Sequence, residues 1–269
     1  MAAFRTDYAV QTATMLLIVL GSVGYPVMAE LWRYVRAGHE RRSFRFSLFT
    51  KLTLTTYLAL LVTGAIVLWL LERQSALAGL PWHEQLFHSL FHSVTARSGG
   101  LTTTDLSLLG TDSQLVMAIL MFIGGSPSSA GGGIRTTTFA VLVLTLIAVA
   151  RMRKDVTVFQ RTVKQEDVMN SFFVFVLGIL LCASSVLFIS AAEGNRFPLE
   201  ALVFEAASAF GTCGASLGIT ANLSGASQGC LILLMFVGRI GLVTLLGLFH
   251  KDRQRPLGYR YPEEKIIIG

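Results

Sequence analysis

The feature that most constrains this chain is a polar, glycine-rich stretch lodged between long apolar segments, which then occurs a second time. The first copy is Phe91-His92-Ser93-Val94-Thr95-Ala96-Arg97-Ser98-Gly99-Gly100-Leu101-Thr102-Thr103. It lies too close to apolar spans to be far from a membrane, and it is too polar to cross one. A short helical pattern runs in from Pro81 and stops at Ser98-Gly99-Gly100-Leu101. Backbone that is neither helix nor closed barrel persists at membrane depth only where protein buries it or water bathes it. The segment therefore reads as a re-entrant half-helix ending in a pore-lining stretch. The second copy is Phe204-Glu205-Ala206-Ala207-Ser208-Ala209-Phe210-Gly211-Thr212-Cys213-Gly214-Ala215-Ser216. Gly100 and Gly214 are 114 positions apart, and Met121-Phe122-Ile123-Gly124 and Met235-Phe236-Val237-Gly238 share that offset. Two independent matches at one offset indicate an internal repeat.

Composition supports a membrane setting. Charged residues make up 14% of the chain and hydrophobic residues 53%, with mean hydropathy +0.62; soluble domains carry roughly 25% charged residues. A spanning helix needs about 20 apolar residues. Segments near 12–32, 52–71, 115–150, 168–192 and 229–249 qualify, the third with a glycine-rich break. The basic residues cluster between spans: Arg33, Arg36, Arg41, Arg42, Arg45 and Lys51; Arg151, Arg153, Lys154, Arg161 and Lys164; Lys251, Arg253, Arg255, Arg260 and Lys265. The positive-inside rule puts these on the cytoplasmic side, so the pI near 9.5 reflects membrane orientation and not a nucleic-acid partner. Both re-entrant segments then dip in from outside. Cys182, Cys213 and Cys230 have neither metal-ligand nor disulfide spacing.

The expected fold is an all-α polytopic membrane protein built from repeated helix–pore loop–helix units of potassium-channel type. Residues 1–48 hold the inner helix of an incomplete preceding repeat and a cytoplasmic loop. A first full repeat covers 49–151, with a broken inner helix. A cytoplasmic loop covers 152–167, a second repeat 168–250 and a cytoplasmic tail 251–269. The chain reads as the back half of a longer protein. Pro81 with Glu84, and Pro198 with Glu200, provide a first-turn proline and an early carboxylate for the two half-helices. Their C-terminal ends, each carrying about −0.5 charge, would favour a cation where they converge.

An ion leaving water needs its hydration shell replaced, and backbone carbonyls of an extended, glycine-containing segment can do this. Ser98-Gly99-Gly100-Leu101 and Thr212-Cys213-Gly214-Ala215 share the order hydroxyl, small, glycine, apolar, which follows the opening of the potassium-channel Thr-Val-Gly-Tyr-Gly signature. These eight residues are the candidate ion-binding filter. Residues 124–133 contain Gly124, Gly125, Ser126, Pro127, Gly131, Gly132 and Gly133. Helix is unstable there, since each glycine costs about 1 kcal/mol and proline about 3 kcal/mol. Arg239 lies mid-span, where a lipid-facing arginine is costly, so it is expected to face the protein interior and contact the broken segment. Arg97 beside a cation pathway should turn into surrounding structure.

At this point the sequence resembles a known group. Ser93 to Leu101 looks like the third filter of the Ktr/Trk/HKT cation transporter superfamily, and Phe204 to Gly214 resembles its fourth. Ile123-Gly124-Gly125-Ser126-Pro127, with Gly132-Gly133-Ile134-Arg135-Thr136-Thr137-Thr138, resembles the broken inner helix of its third repeat. Met235-Phe236-Val237-Gly238-Arg239-Ile240-Gly241 resembles its fourth inner helix, and Tyr259-Arg260-Tyr261-Pro262-Glu263-Glu264-Lys265 is similar to the C-terminus of Ktr-type membrane subunits. The resemblance implies four repeats in a complete pore, a gating loop below the filter, and potassium as the transported ion. It also implies a homodimer or an assembly with the missing half in a lipid bilayer, with a cytoplasmic nucleotide-binding regulatory ring of the Ktr type. It implies no cofactor and no metal beyond the transported cation. Sodium or sodium-coupled transport is the alternative within this class.

Other motifs carry less. Gly214-Ala215-Ser216-Leu217-Gly218 matches the hydrolase elbow pattern without a strand–turn–helix context. An intramembrane serine protease using Ser98 or Ser216 is the alternative from another class. His83, His88 and His92 lack a completing ligand, and Gly131 to Thr136 lacks the ending of a phosphate loop.

Overall fold

A computed structural model describes residues 7–37, 44–75, 77–153, 155–242 and 244. The helices are α1 Tyr8–Val23, α2 Tyr25–Arg36, α3 Leu48–Glu72, α4 Trp82–Thr95, α5 Thr111–Phe122, α6 Thr136–Ala150, α7 Gln165–Ala192, α8 Leu199–Phe210 and α9 Gly225–Ile240. The strands β1 Thr157–Val158 and β2 Arg161–Thr162 form a small antiparallel hairpin between α6 and α7. It turns through Phe159 and Gln160 at positive φ, the geometry that suits a two-residue hairpin turn. The 251–269 tail lies outside the described residues.

Helices α3 and α7, with 25 and 28 residues, are long and apolar enough to cross a membrane. At 1.5 Å per residue each exceeds the roughly 30 Å hydrocarbon core. Each is followed by a half-helix, α4 or α8, and then by a further apolar helix, α5 or α9. The 114-residue offset carries into the backbone. Helix α5 begins at Thr111 and α9 at Gly225, and the 3-10 turns Leu106–Leu108 and Thr220–Asn222 lie at the same spacing.

Two expectations need correction. The segment 12–32 is not one straight span: α1 and α2 meet at a 104° bend. The cause is Gly24, at φ 92° and pressed so closely on the next broken segment that a Cβ would lie 2.5 Å from the Pro127 carbonyl oxygen. The Tyr25 N–H donates to the Ser128 carbonyl at 3.1 Å, and Pro26 opens α2. Pro81 and Pro198 stand at the N-cap, just before the first turn, while Glu84 and Glu200 occupy that turn as expected.

Helices pack across unit boundaries. Helix α5 rests on α8 of the following unit, and α1 rests on α4 in the same manner. Met117 and Met121 of α5 share a buried cluster with Phe204 and Ala207 of α8. Met15 of α1 joins Tyr57, Leu61, Phe91 and Val94 of α3 and α4. Polar groups are satisfied locally, as when Ser93 Oγ donates to the Leu61 carbonyl at 2.8 Å where Gly64 lets the helices close up.

Candidate ion pathway and intramembrane loop

Helix α4 ends when the amides of Gly99 and Gly100 both donate to the Thr95 carbonyl, at 2.8 and 3.1 Å. Thr95 Oγ1 then donates to the Leu101 carbonyl at 2.6 Å. Helix α8 ends similarly, with the amides of Thr212 and Cys213 donating to Ala209 and Ser208. Beyond these ends the backbone alternates. Ser98 and Gly100 have φ 74° and 62°, and Thr212 and Gly214 have φ 47° and 91°. A left-handed φ at every second residue turns successive carbonyls toward one side. At the β-branched Thr212 it carries local strain, which persists only because the surroundings impose it. Among the described residues, no donor bonds the carbonyls of Ser98, Gly99, Gly100, Thr212, Cys213 or Gly214.

The two segments touch. A Cβ on Gly100 would sit 2.2 Å from the Cys213 carbonyl oxygen. The Cys213 thiol donates to the Thr95 carbonyl at 3.2 Å, and Cys213 is buried. Leu101 and Gly214 are exposed, Ala215 is buried, and the remaining members are partly covered.

The stretch 123–135 packs against both segments. Gly131 lies so near Ser98 that a Cβ would be 2.6 Å from its Oγ, and Gly132 is equally close to Thr212 Oγ1, at 2.5 Å. Both hydroxyl oxygens are buried without a hydrogen-bond partner among the described residues. The loop is sewn to both sides. Amides of Ser126 and Ala130 donate to the Ser22 and Gly21 carbonyls at the end of α1, at 2.9 and 3.0 Å. The Gly133 amide donates to Gly238 of α9 at 3.2 Å. Gly124 and Gly132 cross so tightly that a Cβ on Gly124 would come within 1.8 Å of the Gly132 carbonyl oxygen. Gly125 and Pro127 complete the crossing, the former accepting the Thr136 amide at 3.2 Å.

Three arginines hold this loop. Arg135 Nη1 donates to the carbonyls of Ser126, at 3.4 Å, and Gly131. Arg239 Nη1 donates to the Ala130 carbonyl. Arg239 keeps an exposed side chain among the described residues, so it reaches the loop without the enclosure that its mid-span position implied. Arg97 turns into surrounding structure. It is fully buried, its guanidinium carbon lies 5.4 Å from the centre of the Tyr57 ring, and its Nη1 is 3.5 Å from the Gly124 carbonyl oxygen.

Glu205 was not singled out from the sequence. It is buried in α8 behind the second segment, where Oε1 accepts Ser216 Oγ at 2.6 Å and the Leu217 amide at 3.0 Å. Its Oε2 accepts Thr220 Oγ1 at 2.8 Å. A mid-helix carboxylate, beyond Glu200 of the first turn, in an otherwise apolar half-helix was the available signal. Ser216 is thereby committed to Glu205 and Thr220, not to an imidazole. His88 and His92 are buried on α4, and among the described residues no His, Cys, Asp or Glu group could hold a metal ion.

Comparison with known proteins gives this geometry a relationship. Residues 1–255 match the family described as TrkH, cation transport protein. The chain is 46% identical over its full length to the Ktr system potassium uptake protein D of Bacillus subtilis, covering 59% of that protein. It is 32% identical over its full length to the Ktr system potassium uptake protein B of Vibrio alginolyticus, covering 58% of it. It is 30% identical to the potassium/sodium uptake protein NtpJ of Enterococcus hirae, over 94% of this chain and 56% of that one. The chain therefore spans a little over half the length of these relatives, which are named as uptake proteins and not as enzymes. The crystal structure of the potassium transporter TrkH from Vibrio parahaemolyticus superposes with a TM-score of 0.74 at 18% identity, over 90% of this chain and 52% of that one. That likeness establishes the helical membrane-transporter fold. Matched over nearly all of its length, the chain belongs to the TrkH cation transport family, on its Ktr-type membrane-subunit side.

Proposed function

We propose that this chain supplies part of the cation pathway of a Ktr-type potassium uptake system in the plasma membrane. Ser98 to Leu101 and Thr212 to Ala215 replace water around a dehydrated cation, and residues 124–133 gate the path below them. The observation that carries this reading is the pair of adjoining segments with alternating left-handed φ and, apart from Leu101, whose carbonyl accepts the Thr95 hydroxyl, carbonyls uncommitted among the described residues. Carbonyl oxygens without protein donors are what a dehydrated monovalent cation requires. The two half-helices end beside them, so their negative C-terminal dipoles favour a cation. Arg239 holds the loop in the blocking position by its bond to Ala130.

A pore needs more segments than the two described, so the functional unit pairs this chain with a missing half or with a second copy. A cytoplasmic nucleotide-binding ring is the expected regulator, docking on the basic loops and the 251–269 tail. Sodium as a second cargo is favoured by one relative, which is named a potassium/sodium uptake protein.

The test is potassium-limited growth and rubidium uptake in a potassium-uptake-deficient strain expressing the complete transporter. Deleting residues 126–130 should raise uptake that escapes regulation. Unchanged uptake after that deletion would rule out gating by the loop. Failure of the intact transporter to rescue growth would rule out potassium uptake.

A further inference from the structure

Arg97 invites a role that the proposed pathway does not give it. It is fully buried at membrane depth, where an arginine is retained only if it does something specific. The groups that meet its charge are a ring face and a carbonyl: Tyr57 at 5.4 Å and Gly124 at 3.5 Å. Among the described residues, its Nε and Nη2 have no hydrogen-bond partner. Burial leaves no water to replace the Gly124 contact if it breaks, so that contact resists opening.

The neighbouring connections converge on the same loop. Ser98, the next residue, meets the rear of the loop at Gly131. Tyr57, beneath the guanidinium, shares a 2.6 Å hydroxyl hydrogen bond with Ser22, whose carbonyl accepts the Ser126 amide at 2.9 Å. The rear of the loop is held differently. Arg239, exposed among the described residues, donates to the Ala130 carbonyl, the Ala130 amide donates to Gly21 at 3.0 Å, and Arg135 donates to the Gly131 carbonyl. The rear of the loop is thus held by several separate bonds, whereas the guanidinium contact at the front is a single buried one.

We propose that Arg97 is a positioning residue that pins the front of the intramembrane loop, at Gly124, to the base of the first filter segment, so that this buried contact holds the loop closed and breaks when it opens. This rests on the gating reading above, and it names the buried anchor which that reading lacks.

The test uses the complete transporter in proteoliposomes, measuring rubidium flux and the potassium-to-sodium preference. Arg97→Gln should raise flux about fivefold, the effect of removing from the closed state one long hydrogen bond of no more than ordinary strength, with ion preference unchanged. Arg97→Lys keeps a charge over the ring but loses the planar reach to Gly124. It should behave like Arg97→Gln, whereas a purely charge-filling role predicts that it behaves like the parent. In a transporter lacking residues 126–130, Arg97→Gln should add nothing further. If Arg97→Gln does not assemble, Tyr57→Phe keeps the ring, loses the Ser22 bond and should raise flux about twofold. Normal flux in each of the variants that assemble, or a shifted ion preference, would overturn the pinning role while leaving loop gating intact. An undiminished effect of Arg97→Gln in the loop-deleted transporter would also overturn it. Unchanged flux on deleting the loop itself would overturn both.

Discussion

Replacing Glu205 with alanine should loosen the strand of chain that leaves the second filter segment. The carboxylate gathers three donors there, the Ser216 hydroxyl, the Leu217 amide and the Thr220 hydroxyl, at 2.6–3.0 Å. Hydrogen bonds to a charged acceptor contribute about 1.5–3 kcal/mol each when the site is closed to water. Ser216 is exposed and Leu217 and Thr220 are half-covered, so freed donors regain part of that from solvent. The expected net loss for Glu205→Ala is therefore about 2–4 kcal/mol in all, below the simple sum. At about 2–4 °C per kcal/mol for chains of this size, the melting temperature in detergent should fall by roughly 5–10 °C. Glu205→Gln retains one oxygen for Ser216 and Leu217, and its amide can donate to the Thr220 hydroxyl, so less than half of the loss should appear. The informative assay pairs thermal unfolding with potassium-against-sodium competition for uptake. Alanine should reduce both stability and discrimination, and glutamine should keep most of each. If glutamine is as damaging as alanine, net charge and not the three-donor clamp is what matters. If alanine shifts melting by less than about 1 °C, the clamp contributes nothing to the fold.

Three further outcomes follow from the same geometry. Gly100→Ala should cut potassium uptake at least tenfold with membrane insertion preserved: its Cβ would stand 2.2 Å from the Cys213 carbonyl oxygen, and φ 62° adds about 1–2 kcal/mol of strain for any L side chain. Arg239→Gln should raise unregulated rubidium uptake with normal assembly, because the charged bond to the Ala130 carbonyl is lost; normal uptake would assign Arg239 a structural role only. Glu193 accepts the Ser227 hydroxyl at 2.6 Å and the Ser224 amide at 2.8 Å, which hold its carboxyl below the ordinary carboxylate range. Its stabilisation is present in full above the ordinary value of 4.5 and is lost as pH falls through the lowered folded value. Melting curves taken from pH 7 downward should converge with those of Glu193→Gln only at the acid end.

The order of elements was readable in the sequence because each follows from local chemistry. Apolar length announces α3 and α7, and proline with an early carboxylate announces α4 and α8. Five glycines in ten residues break the helix after Phe122. The positions of Gly100 and Gly214 were legible because the 114-residue offset repeats. The bend at Gly24 was less so, since Tyr25-Pro26 can also open a continuing helix. What bends it is pressure from Pro127 more than a hundred residues away. The Glu205 clamp was hidden for a similar reason: its three partners lie past the glycines, and only the fold brings them back to α8. Arg97 was expected to turn away from the pathway, but no local pattern tells that its guanidinium reaches Gly124. The hairpin 157–162 escaped notice because two-residue strands carry no periodicity.

Because α5 lays its apolar face more on α8 of the following unit than on its own half-helix, neither unit is a module that could be lifted out intact. A backbone nick at the β1–β2 turn would sever the covalent link yet leave the two fragments clasped together, each completing the other's interior. An isolated stretch from α3 to α6 would expose the methionine face of α5. Interlocking of this sort obliges the units to mature together, so a substitution in one should be felt in the folding yield of the other.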